Sequence, residues 1–304
     1  MNKWLKTLAV SSTLLLLTAC ASGSGGTDGE ETASTAQSEF NLEVDPEIRE
    51  MLPQEVLDRG YISVAADSPY PPFVFLDEDG ETLIGADPEI AAALGQLMGV
   101  EFRMSPVAQA NLIPGLSSGK YDLAMSGMAD KLERQESVTF VDYMQNGGAF
   151  VVTPTAEHRP EKLEDLCGLS ISVQSGTTMA STAAEQVEEC SKSGKGTLTI
   201  NEFQGQDQVL LAITSNRADV AMITAGSAAY MVSQSPEEFE VVSLYNDPAK
   251  LGIAVANGND ELVAAVEAGM KRLFEEGVYE EILTKWGLYE FNSIDAVTIN
   301  DAKS

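Results

Sequence analysis

Cys20 is the residue whose surroundings most clearly predict a chemical modification. It follows Leu17-Thr18-Ala19, a short basic head and an apolar run of about ten residues, about half of what spans a bilayer. This pattern is typical of the bacterial lipobox, in which a signal peptide is removed and the new N-terminal cysteine takes a diacylglycerol on its thiol. We therefore predict a signal peptide at 1–19 and a mature chain that is lipid-anchored on the extracytoplasmic face of a cell membrane. An uncleaved transmembrane helix is the alternative, which the short apolar run disfavours.

The other two cysteines are Cys167 and Cys190. Outside the reducing cytosol such a pair oxidises to a disulfide, which in the chain-entropy model stabilises a fold by about 3 to 4 kcal/mol. The sequence therefore predicts a bond between them, with two separate buried thiols as the alternative.

The remaining reactive residue types form no recognisable catalytic or metal-binding pattern. His158 is the only histidine, and no nucleophile elbow, phosphate-binding Gly-rich loop or Cys-rich metal motif is present. A Ser-His-Asp apparatus is therefore not expected. None of the 47 acidic residues stands out as a catalytic pair. We expect a binding protein rather than an enzyme, with no cofactor and no metal.

The charge and composition restrict the partners and the organisation. A net charge of −29 and a pI near 4.1 argue against nucleic acid or an anionic membrane surface as a direct partner. Residues 20–45 begin with a stretch rich in Ser, Gly, Thr, Ala and acids, which predicts a flexible tether. The rest of the chain is long enough for two lobes of about 100 to 150 residues each.

Strand-like and helix-like patterns alternate along this globular part, which is typical of an α/β fold. After a first strand, Asp87 is expected to cap a helix that has Pro88 at its first position and ends at Gly99. The other predicted elements are strands over 61–66, 123–125, 150–153, 169–173 and 220–223, and helices over 262–274 and 279–286, which Gly277 separates.

Seven segments, taken in order, carry a resemblance to a known family. They are Asp67-Ser68-Pro69-Tyr70-Pro71-Pro72-Phe73, then 83–87, 113–122, 127–134, 138–143, 173–178 and 277–286. Each segment is short, but their order and separations are specific together. The chain resembles the solute-binding proteins of bacterial ABC importers, extracellular family 3, the polar amino acid binding class, and is most similar to Gram-positive, actinobacterial-like lipoproteins.

The resemblance implies an α/β, two-lobed, type II periplasmic-binding-protein-like fold with two hinge crossovers. The lobes are then expected at 56–146 plus 252–290 and at 150–248, with hinges near 146–149 and 246–252 and a C-terminal tail at 291–304. Closure of the cleft about the hinges would trap an amino acid-like solute. The closed protein, a monomer, would be presented to an ABC permease.

Three residues match the family positions that hold a ligand carboxylate. Arg134 is expected to grip it, because a planar guanidinium suits a bidentate contact better than lysine does. Thr177 and Thr178 are expected to open a helix whose free N–H groups favour an anion. The alternatives are a surface arginine and simple capping threonines.

Four further residues match positions around the rest of the ligand. Tyr70 and Phe73 are expected to flank the ligand side chain, with core packing as the alternative. Asp67 is expected to meet a cationic or polar group, or else to form a turn. Asp130, with Glu133 three residues later, fits a capping box, and its alternatives are positioning Arg134 or contacting a ligand amine.

Two departures from the family pattern concern the ligand amine. Gly127, the glycine of the Gly-Met motif, is itself expected to line the ligand site. Two residues later, Ala129 stands where many amino acid binders have Thr or Ser. Thr224 stands where many carry an Asp for the α-amino group. Because burying an unpaired ammonium is costly, either Asp67 or Asp130 supplies the missing charge or the ligand lacks a primary α-ammonium.

Two readings from other classes stay open. A surface ligand sensor without transport would use the same lobes but no permease. A small-acid dehydratase-like enzyme on the same scaffold would need a general acid or base in the cleft, since a fold does not fix a function. Asp67 and Asp130 are the evident candidates for that role.

Overall fold

The structure, a computed structural model, describes residues 40–245 and 248–302 and the backbone of residues 34 and 35. The predicted signal peptide, Cys20 and most of the predicted tether lie outside these residues. In the described ranges, none of the helices combines the length and apolar character needed to cross a membrane.

The described part of the chain contains fourteen strands and eleven α-helices. The strands are β1 Ser34–Thr35, β2 Tyr61–Ala66, β3 Phe75–Leu76, β4 Thr82–Ile84, β5 Glu101–Pro106, β6 Leu123–Ala129, β7 Val138–Asn146, β8 Gly148–Val152, β9 Ser170–Gln174, β10 Thr199–Phe203, β11 Val220–Thr224, β12 Glu240–Leu244, β13 Ala249–Ala256 and β14 Thr298–Ile299. The helices are α1 Pro46–Glu50, α2 Gln54–Arg59, α3 Ala86–Met98, α4 Leu112–Ser117, α5 Leu132–Gln135, α6 Thr178–Ser193, α7 Gln206–Thr214, α8 Ala225–Gln234, α9 Asp260–Glu275, α10 Val278–Lys285 and α11 Tyr289–Asn292. Short 3-10 turns occupy Gln109–Asn111 and Leu163–Leu166.

Two sheets define two lobes. Lobe 1 is built around a six-stranded sheet with the order β14-β7-β13-β6-β2-β5, and lobe 2 around a five-stranded sheet with the order β10-β9-β11-β8-β12. In lobe 1, β2 runs parallel to β5 and β6, whereas β13 runs antiparallel to β6 and β7. In lobe 2, β9 runs parallel to β10 and β11, whereas β8 is antiparallel to β11 and β12. This is the two-lobed type II periplasmic-binding-protein-like α/β fold that the sequence predicted.

Helix α3 ties the core of lobe 1 to the strands that lead to the cleft. Its apolar stripe is fully buried, and Gly99 ends it in the left-handed conformation, as predicted. The predicted cap is wrong, because Gly85 is the N-cap residue and makes no side-chain cap bond. The buried carboxylate of Asp87 instead accepts hydrogen bonds from Tyr143 Oη at 2.5 Å and from Gly127 N at 2.9 Å. Asp87 therefore connects α3 to β6 and β7.

The chain crosses between the lobes twice. On the first crossing β7 ends at Asn146 and β8 begins at Gly148, so Gly147 alone separates them. The return runs from β12 to β13 through residues 245–248. The ring of Tyr245 packs over the first crossing, since a Cβ atom at Gly148 would lie 2.1 Å from it. A side chain at residue 148 would therefore displace Tyr245.

Both ends of the described chain pack on lobe 1. The tether was predicted to extend to residue 45, but Leu42 N bonds to a side chain of α3, and Asp45 caps α1 and pairs with Arg272 at 2.9 Å. The predicted C-terminal tail contains β14, which pairs with β7, and Asn300 Oδ1 accepts from Phe140 N at 2.7 Å. These polar residues form hydrogen bonds and an ion pair with lobe 1, and the composition of the two segments does not predict such contacts.

Lobe 2 contains the predicted disulfide. Cys167 and Cys190 are joined with a Cα–Cα distance of 5.3 Å, within the ordinary range. The bond connects the turn before β9 to the buried face of α6. It therefore fixes α6 against the sheet that carries it.

Candidate functional site

A cavity of about 60 Å³ lies between the two lobes, several times the space that one water molecule needs. Lobe 1 contributes the ends of β2, β6 and β7, and lobe 2 contributes the starts of α6 and α7 and the end of β11. The lining residues are Asp67, Tyr70, Gln109, Ser126, Gly127, Ala129, Arg134, Asn146, Gln174, Thr177, Thr178, Met179, Gln206, Met222, Ile223, Thr224, Ala249 and Leu251. Eight of the ten residues predicted for the ligand site are among them.

The lobes are closed over this cavity. Tyr70 Oη and Thr224 Oγ1 lie 2.9 Å apart, and Arg134 Nη2 donates to Gly176 O at 3.0 Å. Gln174 Nε2 donates to Asp67 Oδ2 in a short hydrogen bond. Each of these bonds joins lobe 1 to lobe 2, so the structure represents the closed state.

Arg134 brings a positive charge to the cavity on helix α5. Its guanidinium is partly buried, and it donates to Ala129 O at 2.9 Å in addition to Gly176 O. Burial lowers the pKa of Arg134, but a guanidinium stays protonated in proteins. Both hydrogen-bond partners are neutral carbonyls, which orient the fork without neutralising its charge.

The start of α6 faces the same cavity, and the two threonines there have different roles. Thr177 is the N-cap residue: its hydroxyl accepts from Ala180 N at 3.2 Å and donates to Gln174 O at 2.7 Å. Thr178 Oγ1 is buried and has no hydrogen-bond partner in the described part of the chain. Thr178 is therefore the threonine whose hydroxyl is available to a ligand.

Tyr70 lines the cavity, whereas Phe73 lies behind it. The two rings stack with centroids 4.8 Å apart, and Phe73 is fully buried. Gly127 has a φ of +51°, and a Cβ atom there would lie 3.0 Å from the Tyr70 ring. A glycine at residue 127 thus lets the strand end pass close behind the ring, and Phe73 takes the core-packing alternative.

The two predicted acids are separated by the structure. Asp67 lines the cavity, and burial raises its pKa to about 6. Asp130 does not line the cavity, and it caps no helix, because Lys131 is the N-cap residue of α5 and makes no side-chain cap bond. Asp130 Oδ1 accepts from Gln135 Nε2 at 2.7 Å instead. The capping prediction is therefore wrong, since the carboxylate turns toward Gln135 rather than toward the first turn of the helix.

Sequence reasoning missed five polar residues of the cavity, which are Gln109, Ser126, Asn146, Gln174 and Gln206. Gln174 bonds to Asp67 and to Gln204 O at 3.1 Å. Asn146 Nδ2 and Gln206 Nε2 are buried without a partner among the described residues. Two sequence features could have indicated two of these residues. Gln174 lies inside one of the seven family segments, and Asn146 immediately precedes the Gly147-Gly148 crossing. Gln206 carried no such signal.

Ala129 and Thr224, the two residues that depart from the family pattern, both line the cavity. Thr224 Oγ1 is bonded to Tyr70, and Ala129 presents only its methyl group and a carbonyl that Arg134 occupies. Neither residue supplies a negative charge. No group of three or more His, Cys, Asp and Glu side chains able to hold a metal ion occurs in the described ranges.

The chain is similar to known proteins in sequence and in fold. A family model described as bacterial extracellular solute-binding proteins, family 3, matches residues 62–289. An arginine-binding protein of Corynebacterium glutamicum is 31% identical over 258 residues, which are 84% of this chain and 83% of that protein.

Two solved structures are similar across both lobes. An ancestral arginine-binding protein bound to arginine has a TM-score of 0.68 and 30% identity, covering 75% of this chain and 98% of its own. An ancestral amino acid-binding protein, a precursor of cyclohexadienyl dehydratase, has a TM-score of 0.68 and 30% identity, covering 77% and 97%.

Proposed function

Because the chain belongs to the bacterial extracellular solute-binding proteins, family 3, we propose that it captures an amino acid or a related small carboxylate between its lobes. In this proposal the closed protein delivers the solute to the membrane permease of an ABC importer. The observation that carries the proposal is the guanidinium of Arg134, which lines the cavity and whose hydrogen-bond partners are two neutral carbonyls.

The cavity supplies what a carboxylate needs. Arg134 offers N–H donors in a planar fork, and the start of the 16-residue helix α6 offers backbone N–H groups and the positive end of its dipole. The free hydroxyl of Thr178 adds one more donor. Charge-assisted hydrogen bonds of this kind are the strong ones, so the carboxylate is the anchoring group of the ligand.

Closure of the two lobes is the capture step. Gly147 alone joins β7 to β8, and the bonds from Tyr70 and Arg134 to the opposite lobe form only when the cleft is shut. A few residues at such crossings absorb the change in backbone dihedrals. A ligand held by both lobes shifts the population toward the closed state.

Anchoring and transport complete the proposal. Lipidation of Cys20 would hold the mature chain at the outer face of the membrane, and residues 20–39 would link the lipid to lobe 1. The protein acts as a monomer beside its permease. We propose binding without catalysis, in line with the binding proteins to which the chain is similar.

The test measures the thermal unfolding midpoint of the purified protein with each member of a panel. The panel contains amino acids, N-substituted amino acids and small carboxylates. A ligand that binds the folded state raises the midpoint with the logarithm of its concentration over Kd. Arg134→Ala is expected to weaken the binding of every such ligand, because a lost charged hydrogen bond is worth about 1.5 to 3 kcal/mol.

Arg103→Ala is the matched control, since Arg103 is exposed on lobe 1 and pairs with Glu101 at 2.7 Å. It should leave ligand affinity unchanged. Equal ligand affinity in Arg134→Ala and the wild type would contradict the proposed carboxylate site.

A further inference from the structure

We propose that Asn146 and Thr224 form a subsite for an uncharged hydrogen-bond acceptor, and that this subsite excludes an ammonium group. The ligand is then a small carboxylate that carries an oxo, hydroxyl or acyl oxygen near its carboxylate, rather than a free amine. This inference rests on the proposed function and narrows the class of its ligand.

Asn146 presents a donor to the cavity, and a neighbour fixes which of its amide atoms does so. Gly226 N donates to Asn146 Oδ1 at 3.1 Å. A backbone N–H cannot accept, so the oxygen is held by α8 and the NH₂ group is the free end. Asn146 is only 6% exposed, it lines the cavity, and its Nδ2 atom has no partner among the described residues. A buried donor in that position calls for an acceptor on the ligand.

Thr224 stands on the same wall, since Thr224 pairs with Gly148 and precedes the Gly226 amide that holds Asn146. Its hydroxyl shares one hydrogen bond with Tyr70 Oη at 2.9 Å. Whichever oxygen donates in that bond, the other keeps its own proton, so the pair retains one O–H donor. Burial raises the pKa of Tyr70, which keeps the phenol neutral. The wall therefore carries donors and no negative charge.

An ammonium is a donor only, and it would meet Asn146 Nδ2 donor to donor. Asn146 Nδ2 would then stay buried without a partner, and the hydroxyl oxygens of Thr224 and Tyr70 could accept from the ammonium but could not neutralise its charge, which is costly. Asp67 is the one acid among the described lining residues, and it already accepts from Gln174 and from the backbone of Gln109. Arg134 adds a positive charge to the same small cavity. A carboxylate with a neutral acceptor satisfies all of these groups.

The experiment compares matched ligands by isothermal titration calorimetry. The pairs are L-alanine with pyruvate and L-lactate, L-arginine with Nα-acetyl-L-arginine, and L-glutamine with Nα-acetyl-L-glutamine. In at least one pair the wild type is expected to bind the member without a free amine at least tenfold more tightly. Thermal unfolding midpoints confirm that each variant is folded.

Asn146→Asp is the decisive variant, because its Oδ1 atom still accepts from Gly226 N while the free donor becomes a charged acceptor. It should reverse the preference by at least tenfold in favour of the amine. Thr224→Asp, which leaves Asn146 in place, should shift the preference the same way and serves if Asn146→Asp does not fold. Asn111→Asp adds the same charge at an exposed position of lobe 1 and should change no preference.

The outcomes separate the two proposals. A wild type that binds these carboxylates but prefers the amine, or has no preference, overturns this inference and leaves the proposed function standing. A variant Asn146→Asp that folds and keeps the wild-type preference also overturns the inference. Failure of every carboxylate to bind, in the wild type and in Arg134→Ala alike, overturns the proposed function and the inference with it.

Discussion

The two lobes contribute different chemistry to the cavity they share. Among the described lining residues, both charged side chains, Arg134 and Asp67, come from lobe 1. Lobe 2 contributes uncharged groups, among them Gln174, Thr178 and Thr224, together with the start of α6. In the proposed function lobe 1 would thus select the charge of a ligand, and lobe 2 would add hydrogen bonds that exist only when the cleft is shut.

The lobes also differ in how they are stabilised. Lobe 1 has one large core and a second, smaller one, and both ends of the described chain add contacts to it. Lobe 2 has two small cores and carries the disulfide. This difference predicts that lobe 2 depends on covalent support more than lobe 1 does.

The largest effect is expected from removing that support. The double variant Cys167→Ala, Cys190→Ala opens a loop with a sequence separation of 23, for which the chain-entropy model gives about 3 to 4 kcal/mol of lost stability. Denaturant unfolding measures the loss, and hydrogen exchange should place it in lobe 2. Wild type with reductant is the control, and an unchanged unfolding free energy would remove the contrast between the lobes.

The next effect concerns the buried charge of lobe 1 and its pH dependence. Burial raises the pKa of Asp67 from 3.8 to about 6. Between these two pH values the folded protein therefore holds a proton that the unfolded chain has already released. The stability from this carboxyl is therefore full below pH 4 and is lost as the pH rises through about 6, by about 3 kcal/mol in total.

Unfolding free energies of the wild type and Asp67→Asn, measured from pH 4 to 7.5, check this direction. The difference between them should fall with rising pH. Asp79→Asn is the control, because Asp79 is exposed and its bonds with Thr82 lower its pKa. A difference that grows with pH would contradict the burial of Asp67.

A smaller effect should distinguish the neighbouring threonines of lobe 2. Thr178→Val is expected to weaken ligand binding by about 1 kcal/mol, because it removes a hydroxyl that has no other partner. Thr177→Val is expected to lower the free energy of unfolding by about 1 kcal/mol, because the helix loses its cap. The Kd of the folded protein for its ligand should change little. Calorimetry and thermal unfolding together separate the two, and the reverse assignment would show that Thr177 is the ligand contact.

The smallest effect should come from the neutral bond between the lobes. Tyr70→Phe keeps the stack on Phe73 but removes the bond to Thr224, and should weaken binding by about 0.5 to 1 kcal/mol. Tyr245→Phe is the matched control, since the Tyr245 hydroxyl is buried without a partner among the described residues. Equal losses in the two variants would show that the Tyr70 bond does not support closure.

Sequence patterns found the parts of the site that one short segment determines. Arg134 and Thr178 each lie in such a segment, and the fold brings them to one cavity. Phe73 and Asp130 share segments with cavity residues but turn away from it, because the direction of a side chain depends on the packing around it. Asp87 likewise looked like a cap and instead holds Tyr143 and Gly127.

The groups that only closure brings together could not be found this way. Gln174 reaches Asp67 across 107 positions of the chain, and Asn146 is oriented by Gly226 across 80. No local pattern records such pairings. Of the eleven strands in the two sheets, five were predicted, each from a short apolar run of its own: β2, β6, β8, β9 and β11.

The position of lobe 2 in the chain has an evolutionary consequence. Its strands and helices lie between β8 and β12, and the chain re-enters lobe 1 through β13. The whole lobe is therefore one uninterrupted stretch of gene, inserted into a lobe that carries both ends of the described chain. A single recombination cassette spanning residues 148–244 would exchange the lobe 2 side of every closing contact at once, while the charged groups proposed to attract the ligand stay in place.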